Sequence, residues 1–186
     1  MREATTAQQD WISHEDLVQW VPGERQSCSK GLDWQDFSQC TYKYAGQEVK
    51  LPSMKSFMIV QYREGSTPMD RELDGHWTRT QCGPGNFSLL SRAVDTHWNW
   101  PDDIVVSHIY LENRLLKRVA QDIHDADVDQ VVLDDVLCGS DPVVNQIVSQ
   151  LSHEAENEGP SGAMYAEALS IQLSVHLLHN YATIRK

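Results

Sequence analysis

The 186-residue sequence predicts an α+β fold, a β-barrel or jelly roll followed by a C-terminal helical segment. Three observations predict it. Between residues 37 and 111, about eight short runs rich in β-formers recur at regular spacing, with turn residues between them. Beyond residue 111 the apolar residues recur at helical spacing instead. Apolar residues make up 40% of the chain and charged residues 23%, which is enough for a real core and too apolar for disorder.

Residues 1–36 read as an irregular lead-in or arm. Within it Leu17, Trp20 and Val21 form a short helical apolar face that ends at Pro22-Gly23. Residues 37–111 are strand territory. Phe37 to Tyr44 alternates loosely, Gln47 to Leu51 is short, and Ser56 to Tyr62 is rich in β-formers. Asp74-Gly75 between TPMDREL and HWTRTQ predicts a two-residue hairpin, because primed turns need positive φ. Gly83-Pro84-Gly85 is a second turn, followed by strands at Asn86 to Ser91, at Trp98-Asn99-Trp100 and at Asp103 to Leu111.

Residues 112–186 read as helical. Leu111, Leu115, Leu116, Val119 and Ile123 mark one helix, and Val131-Val132-Leu133 suits one more strand. Asp141-Pro142 is a helix start, an oxygen acceptor followed by proline at the first helical position. That helix runs to about Glu158, and a last one from about Gly162 to Thr183. Alternatively, residues 22–184 form one compact domain.

Charge narrows the function. Fifteen Lys and Arg stand against 27 Asp and Glu, a net charge of −12, and such a surface repels phosphate. Between Val119 and Ile184 there is no Lys or Arg against eleven acids, so the helical part is not a DNA-reading surface. No apolar run is long enough to span a membrane, and MREATTAQQDW lacks the apolar stretch of a signal peptide. The chain is expected to be cytoplasmic. Cys28, Cys40, Cys82 and Cys138 are scattered with no CxxC pair, which reads as four reduced thiols.

The hairpin is the most informative element. A two-residue turn sets Leu73 opposite His76, Arg71 opposite Thr78 and Met69 opposite Thr80 on one face, with Asp70 and Arg79 paired on the other. If the first face points inward, Arg71 can pair with a ligand carboxylate or phosphate; otherwise it pairs with a structural acid. Trp98 and Trp100 share a face, as do His108 and Tyr110. Aromatic rings with polar tips line small-molecule pockets and also fill small barrels.

No metal set emerges. Eight histidines include no HxH, and Asp125-x-Asp127-x-Asp129 fails as a calcium loop at Gln130 and Val136. No GxSxG, P-loop or GxGxxG is present. The last helix carries two apolar stripes. Ala166, Leu169, Leu173, Leu177 and Tyr181 form one, and Met164, Ala168, Ile171, Val175, Leu178 and Ala182 the other. Two stripes imply burial on both sides, by the barrel and by either the preceding helix or a second subunit.

Taken in order, RELDGHW at 71–77, GPGNFSLL at 83–90, Trp98-Asn99-Trp100, SHIYL at 107–111 and the run from Asp141 to Ala182 with its YAEAL and HLL resemble the sensor half of AraC-type transcription regulators. The resemblance covers roughly Pro22 to Tyr181. It implies a cupin-like barrel that takes a small-molecule effector and helices that form a homodimer. DNA is then contacted only through a C-terminal helix-turn-helix domain that this sequence lacks. On this reading Arg71 and His76 orient a polar group of the effector, and Trp98, Trp100, His108 and Tyr110 supply walls. Leu169, Leu173, His176, Leu177 and Tyr181 are expected at the dimer interface. No catalytic residue, metal or cofactor is expected. The competing readings are a cupin-like metal-dependent enzyme and a scaffold whose aromatics merely fill the barrel.

Overall fold

The structure, a computed structural model, describes residues 11–91 and 94–185. A single 3-10 turn at His14–Asp16 leads into α1 (Leu17–Trp20). Nine strands follow: β1 (Glu24–Cys28), β2 (Phe37–Tyr44), β3 (Gln47–Leu51), β4 (Phe57–Glu64), β5 (Thr67–Leu73), β6 (His76–Cys82), β7 (Phe87–Leu90), β8 (Thr96–Trp100) and β9 (Ile104–Leu111). Then come α2 (Asn113–His124), β10 (Gln130–Leu133), β11 (Val136–Gly139), α3 (Pro142–Glu156), α4 (Ala163–Asn180) and β12 (Ala182–Arg185).

Burial along β9 determines the layering. Ile104, Val106 and Tyr110 belong to one apolar core, and Ile109 and Leu111 to another. A strand buried on both faces must lie centrally with a layer on each side. β9 accordingly sits between β2 and β4 in a six-stranded antiparallel sheet of order β1-β2-β9-β4-β7-β11. A second antiparallel sheet has the order β3-β8-β5-β6. The core between the sheets holds Tyr42, Tyr44, Met58 and Val106 from the first and Val49, Met69, Trp98 and Trp100 from the second. The other face of the six-stranded sheet offers Phe37, Ile59, Phe87 and Ile109 to Leu115, Val148, Leu173 and Leu177 of the helices.

The expected barrel is thus two facing sheets, and among the described residues no hydrogen-bonded ladder joins one to the other. The hairpin register is the predicted one, Leu73 opposite His76 and Asp70 opposite Arg79. Its turn residues Asp74 and Gly75 both have positive φ, 51° and 78°, which glycine adopts without a Cβ penalty.

Three short strands depart from the sequence reading. β1 is a polar edge strand in the lead-in, ERQSC, with no apolar alternation to reveal it. β11 has four residues and completes the sheet edge beside β7. β12 takes Ala182 and Thr183 out of the predicted last helix and pairs them with Leu133 and Val132. Leu111 likewise ends β9 rather than starting α2, because it pairs with both Phe37 and Phe57 in the sheet. Asp141 caps α3 as expected, its Oδ1 accepting from the amides of Val143 (2.9 Å) and Val144 (3.2 Å). No helix among the described residues is long and apolar enough to cross a membrane.

Candidate functional site

Strand alternation brings aromatic side chains from both sheets into the space between them. Tyr44 comes from β2, Tyr62 from β4, His108 from β9, and Trp98 and Trp100 from β8. They surround an apolar cavity of about 60 Å³, together with Val49, Met69 and Leu90. Leu17 of α1 and Val21 just after it complete the lining. Pro22-Gly23 ends α1 at that point, so the lead-in closes one side of the cavity.

The polar atoms of this wall are mostly engaged. Trp98 Nε1 donates to Thr96 Oγ1 at 2.8 Å, and Trp100 Nε1 to the Ala45 carbonyl at 3.1 Å. Tyr62 Oη lies 2.9 Å from Ser88 Oγ, which donates to the Leu137 carbonyl at 2.6 Å. His108 Nδ1 lies 2.8 Å from Tyr110 Oη. Desolvation by burial holds the His108 imidazole down to about 3, so it is neutral at physiological pH. Tyr44 is different. Its buried hydroxyl has no partner among the described residues, and burial pushes its ionisation well above the ordinary phenol value. A buried hydroxyl left unpaired is costly.

The expected wall residues Trp98, Trp100 and His108 therefore line one cavity. Tyr110 stands behind His108, with its ring stacked on His14 at 4.7 Å. Arg71 is 6% exposed and inward-facing, but it does not line the cavity. Its Nη1 lies 3.2 Å from Asp135 Oδ1, and its guanidinium sits 5.4 Å from the Trp98 ring. It is engaged with an acid of its own chain. Burial raises the Asp135 carboxyl, and the Arg71 charge partly offsets that. His76 is exposed at the hairpin tip, the first residue after the turn, with Nδ1 3.0 Å from the Asp74 carbonyl. It does not join the aromatic wall.

The assignment of the first α4 stripe to a dimer interface also needs correction. Leu169, Leu173 and Leu177 are buried in the chain's own core, because α4 lies against α2 and α3. His176 Nε2 and Tyr181 Oη approach Asp141 Oδ2 at 2.7 and 2.8 Å, tying the end of α4 to the start of α3. Burial would raise the Asp141 carboxyl, but the bonds from His176, Tyr181 and the Val144 amide outweigh it and leave it below its ordinary value. The second stripe is buried at Leu178, and Ala182 pairs in β12, but its earlier part stays open. Met164 is 84% exposed, Val175 41% and Ile171 39%.

Sequence reasoning missed Tyr44, Tyr62, Leu17 and Val21 as cavity residues. The signal for Tyr44 was present in the alternation Cys40, Tyr42, Tyr44 along β2. Leu17 and Val21 formed the predicted apolar face of the lead-in, but nothing local says which surface that face covers. Among the described residues no three His, Cys, Asp or Glu side chains converge as a metal site.

No family model matches the sequence, and no curated protein matches it. Solved structures do. The chain is similar to the AraC-like transcriptional activator CuxR, with a TM-score of 0.56 and 13% identity over 80% of this chain and 54% of that one. It is similar to ToxT from Vibrio cholerae O395, with a TM-score of 0.52 and 13% identity over 78% of this chain and 55% of that one. The chain thus spans about half the length of the structures it matches. Its fold is one found in AraC-type transcription regulators, as the sequence resemblance implied.

Proposed function

We propose that this chain is the effector-sensing and dimerisation part of an AraC-type transcription regulator working in the cytoplasm. DNA is contacted by a separate domain of the regulator, in keeping with the absence of any Lys or Arg from 119 to 184. The effector is a small, mainly apolar molecule with one hydrogen-bonding group. It enters between the sheets against Trp98, Trp100 and Tyr62, and its polar group meets Tyr44 Oη. The observation that carries this reading is the apolar cavity covered by α1, with Tyr44, whose buried hydroxyl is unpaired among the described residues, in its lining.

The cavity of about 60 Å³ is far below the ~300–1,000 Å³ that drug-sized ligands occupy. Binding therefore requires displacement of α1 or of an aromatic wall. That requirement suits a sensor, since a ligand regulates only by binding two states unequally. The homodimer forms through the open stripe of α4, with Met164, Ile171 and Val175 at its centre. No residue has a catalytic role in this reading.

The same small volume favours a second reading, a dimerisation scaffold whose aromatics fill the space between the sheets. Thermal unfolding against a panel of small apolar acids, alcohols and phenols separates the two, with light scattering in the same samples. A ligand at 100 times its dissociation constant adds about 2.7 kcal/mol to a sensor. A constant dimer with no shift across the panel supports the scaffold.

A further inference from the structure

We infer that Cys28 and Cys40 form a redox-active dithiol, which a hydroperoxide converts into a disulfide joining the edge strand β1 to β2. The two cysteines are twelve residues apart in sequence and form no motif, but the β1–β2 register sets them directly opposite each other. Their sulfurs are 2.7 Å apart. Directly opposed residues on antiparallel strands have Cα atoms roughly 4.5–5.5 Å apart, within the span a disulfide bridges. The bond can therefore form without rearranging the sheet.

Access and charge favour Cys28 as the attacking sulfur. It is only partly buried and, together with Cys40, lines an open groove of about 590 Å³, which also holds Arg25 and Lys30. Cys40 is 4% exposed. The hydrogen bond from the Cys40 thiol favours the Cys28 thiolate most, followed by the Lys30 amide and the charges of Arg25 and Lys30. Cys40 keeps the proton, its ionisation raised by that same bond and by burial. Cys82 shows the contrast: it is fully buried and its thiol is pushed up to about 12, chiefly by desolvation. It is a poor nucleophile.

The chemistry balances with a hydroperoxide as the oxidant. The Cys28 thiolate attacks the distal peroxide oxygen and the O–O bond breaks. Cys28 becomes a sulfenic acid, and the leaving alkoxide or hydroxide takes a proton from solvent. Cys40 sulfur then attacks the Cys28 sulfur, displacing hydroxide, which leaves as water with the Cys40 proton. Two electrons pass from the two sulfurs to the peroxide. Cys40 also contacts Tyr42, whose ring stacks on Tyr44 at 5.4 Å and lies 5.2 Å from His108. The dithiol therefore adjoins the cavity wall, although the inference does not depend on an effector binding there.

Hydrogen peroxide is the probe. The intact chain is treated with it, remaining thiols are blocked, and the peptides are mapped without reductant. The expected result is loss of two of the four thiols and a cross-linked peptide joining Cys28 to Cys40. Cys40→Ser should leave a sulfenic acid on Cys28 that a cyclic dione captures, and Cys28→Ser should lose thiols at least about tenfold more slowly. Circular dichroism checks the fold of each variant, and the map of the unaltered chain stands independently of both. Peroxide that leaves both cysteines reduced in the folded chain would overturn the inference. So would a cross-link between Cys82 and Cys138 alone, or a folded Cys28→Ser that loses thiols at the unaltered rate.

Discussion

His108 Nδ1 meets Tyr110 Oη at 2.8 Å, with both side chains buried between the two sheets. Burial of the His108 imidazole makes stability depend on pH in a defined direction. The imidazole stays neutral down to about 3 in the folded chain, while in the unfolded chain it protonates near 6.5. Between those values the unfolded state binds a proton that the folded state does not. Stability is therefore complete above 6.5 and falls as the pH falls towards 3, by up to ~1.4 kcal/mol per pH unit. Partly buried His14, lowered chiefly by burial, acts in the same direction. His108→Phe should flatten the stability profile between pH 6.5 and about 4, as read by urea unfolding. The slope is the readout, because the substitution also costs Tyr110 a hydrogen-bond partner. An unchanged slope would refute the assignment.

The two faces of α4 should respond oppositely to charge. Leu173→Glu places a carboxylate in the core beneath the six-stranded sheet, which costs several kcal/mol and should unfold the chain. Ile171→Glu and Val175→Glu place it on the open stripe, where stability should change by less than about 1 kcal/mol. In the proposed homodimer these two variants become monomeric by light scattering while remaining folded. Folded dimers in both would remove this stripe from the interface.

Asp141 links α3 and the end of α4 through one carboxylate, and its loss should exceed that of an ordinary helix cap. Asp141→Ala removes the α3 cap, worth roughly 0.5–2 kcal/mol, and also the bonds from His176 and Tyr181. A double-mutant cycle with His176→Ala should show coupling, because the second substitution has less left to break. The pH sign is the usual carboxylate one. The folded-state ionisation lies below the unfolded value, so this stabilisation is present above the unfolded value and is lost as the pH falls through the folded one. Additive effects of the two substitutions would contradict the shared-carboxylate picture.

Arg71 should prove to be a structural residue. Arg71→Gln removes the counter-ion from Asp135, a carboxylate that burial already disfavours. Loss of about 1–3 kcal/mol in denaturant unfolding is expected, with effector affinity unchanged. A selective loss of affinity without loss of stability would return Arg71 to the binding site.

Local patterns made the strands from 37 to 111 and the hairpin register legible, because alternation and an Asp-Gly turn act over a few residues. The paired aromatics on β8 and β9 followed from the same alternation. What stayed illegible depends on partners distant in sequence. Nothing near Leu173 says whether its stripe meets a second subunit or the core beneath Ile59 and Ile109. Nothing near Arg71 announces Asp135, and nothing near Cys28 announces Cys40. The edge strand β1 carries too few apolar residues to alternate at all.

Tyr44→Phe tests the cavity most directly, because it removes one oxygen and leaves the ring to pack against Trp100, 6.0 Å away. No described residue pairs with that hydroxyl, so its loss should not destabilise the ligand-free chain, and a gain of up to ~1 kcal/mol is expected. The effect on binding runs the other way. An effector that bonds Tyr44 Oη loses one hydrogen bond, worth ~0.5–1.5 kcal/mol, or roughly a two- to tenfold weaker affinity. The check is unfolding of both proteins with and without the effector found in the ligand panel. A stabler ligand-free variant with a smaller ligand-induced shift places the effector's polar group at Tyr44. A variant that loses stability without ligand, and shows the same shift with it, would place that group elsewhere.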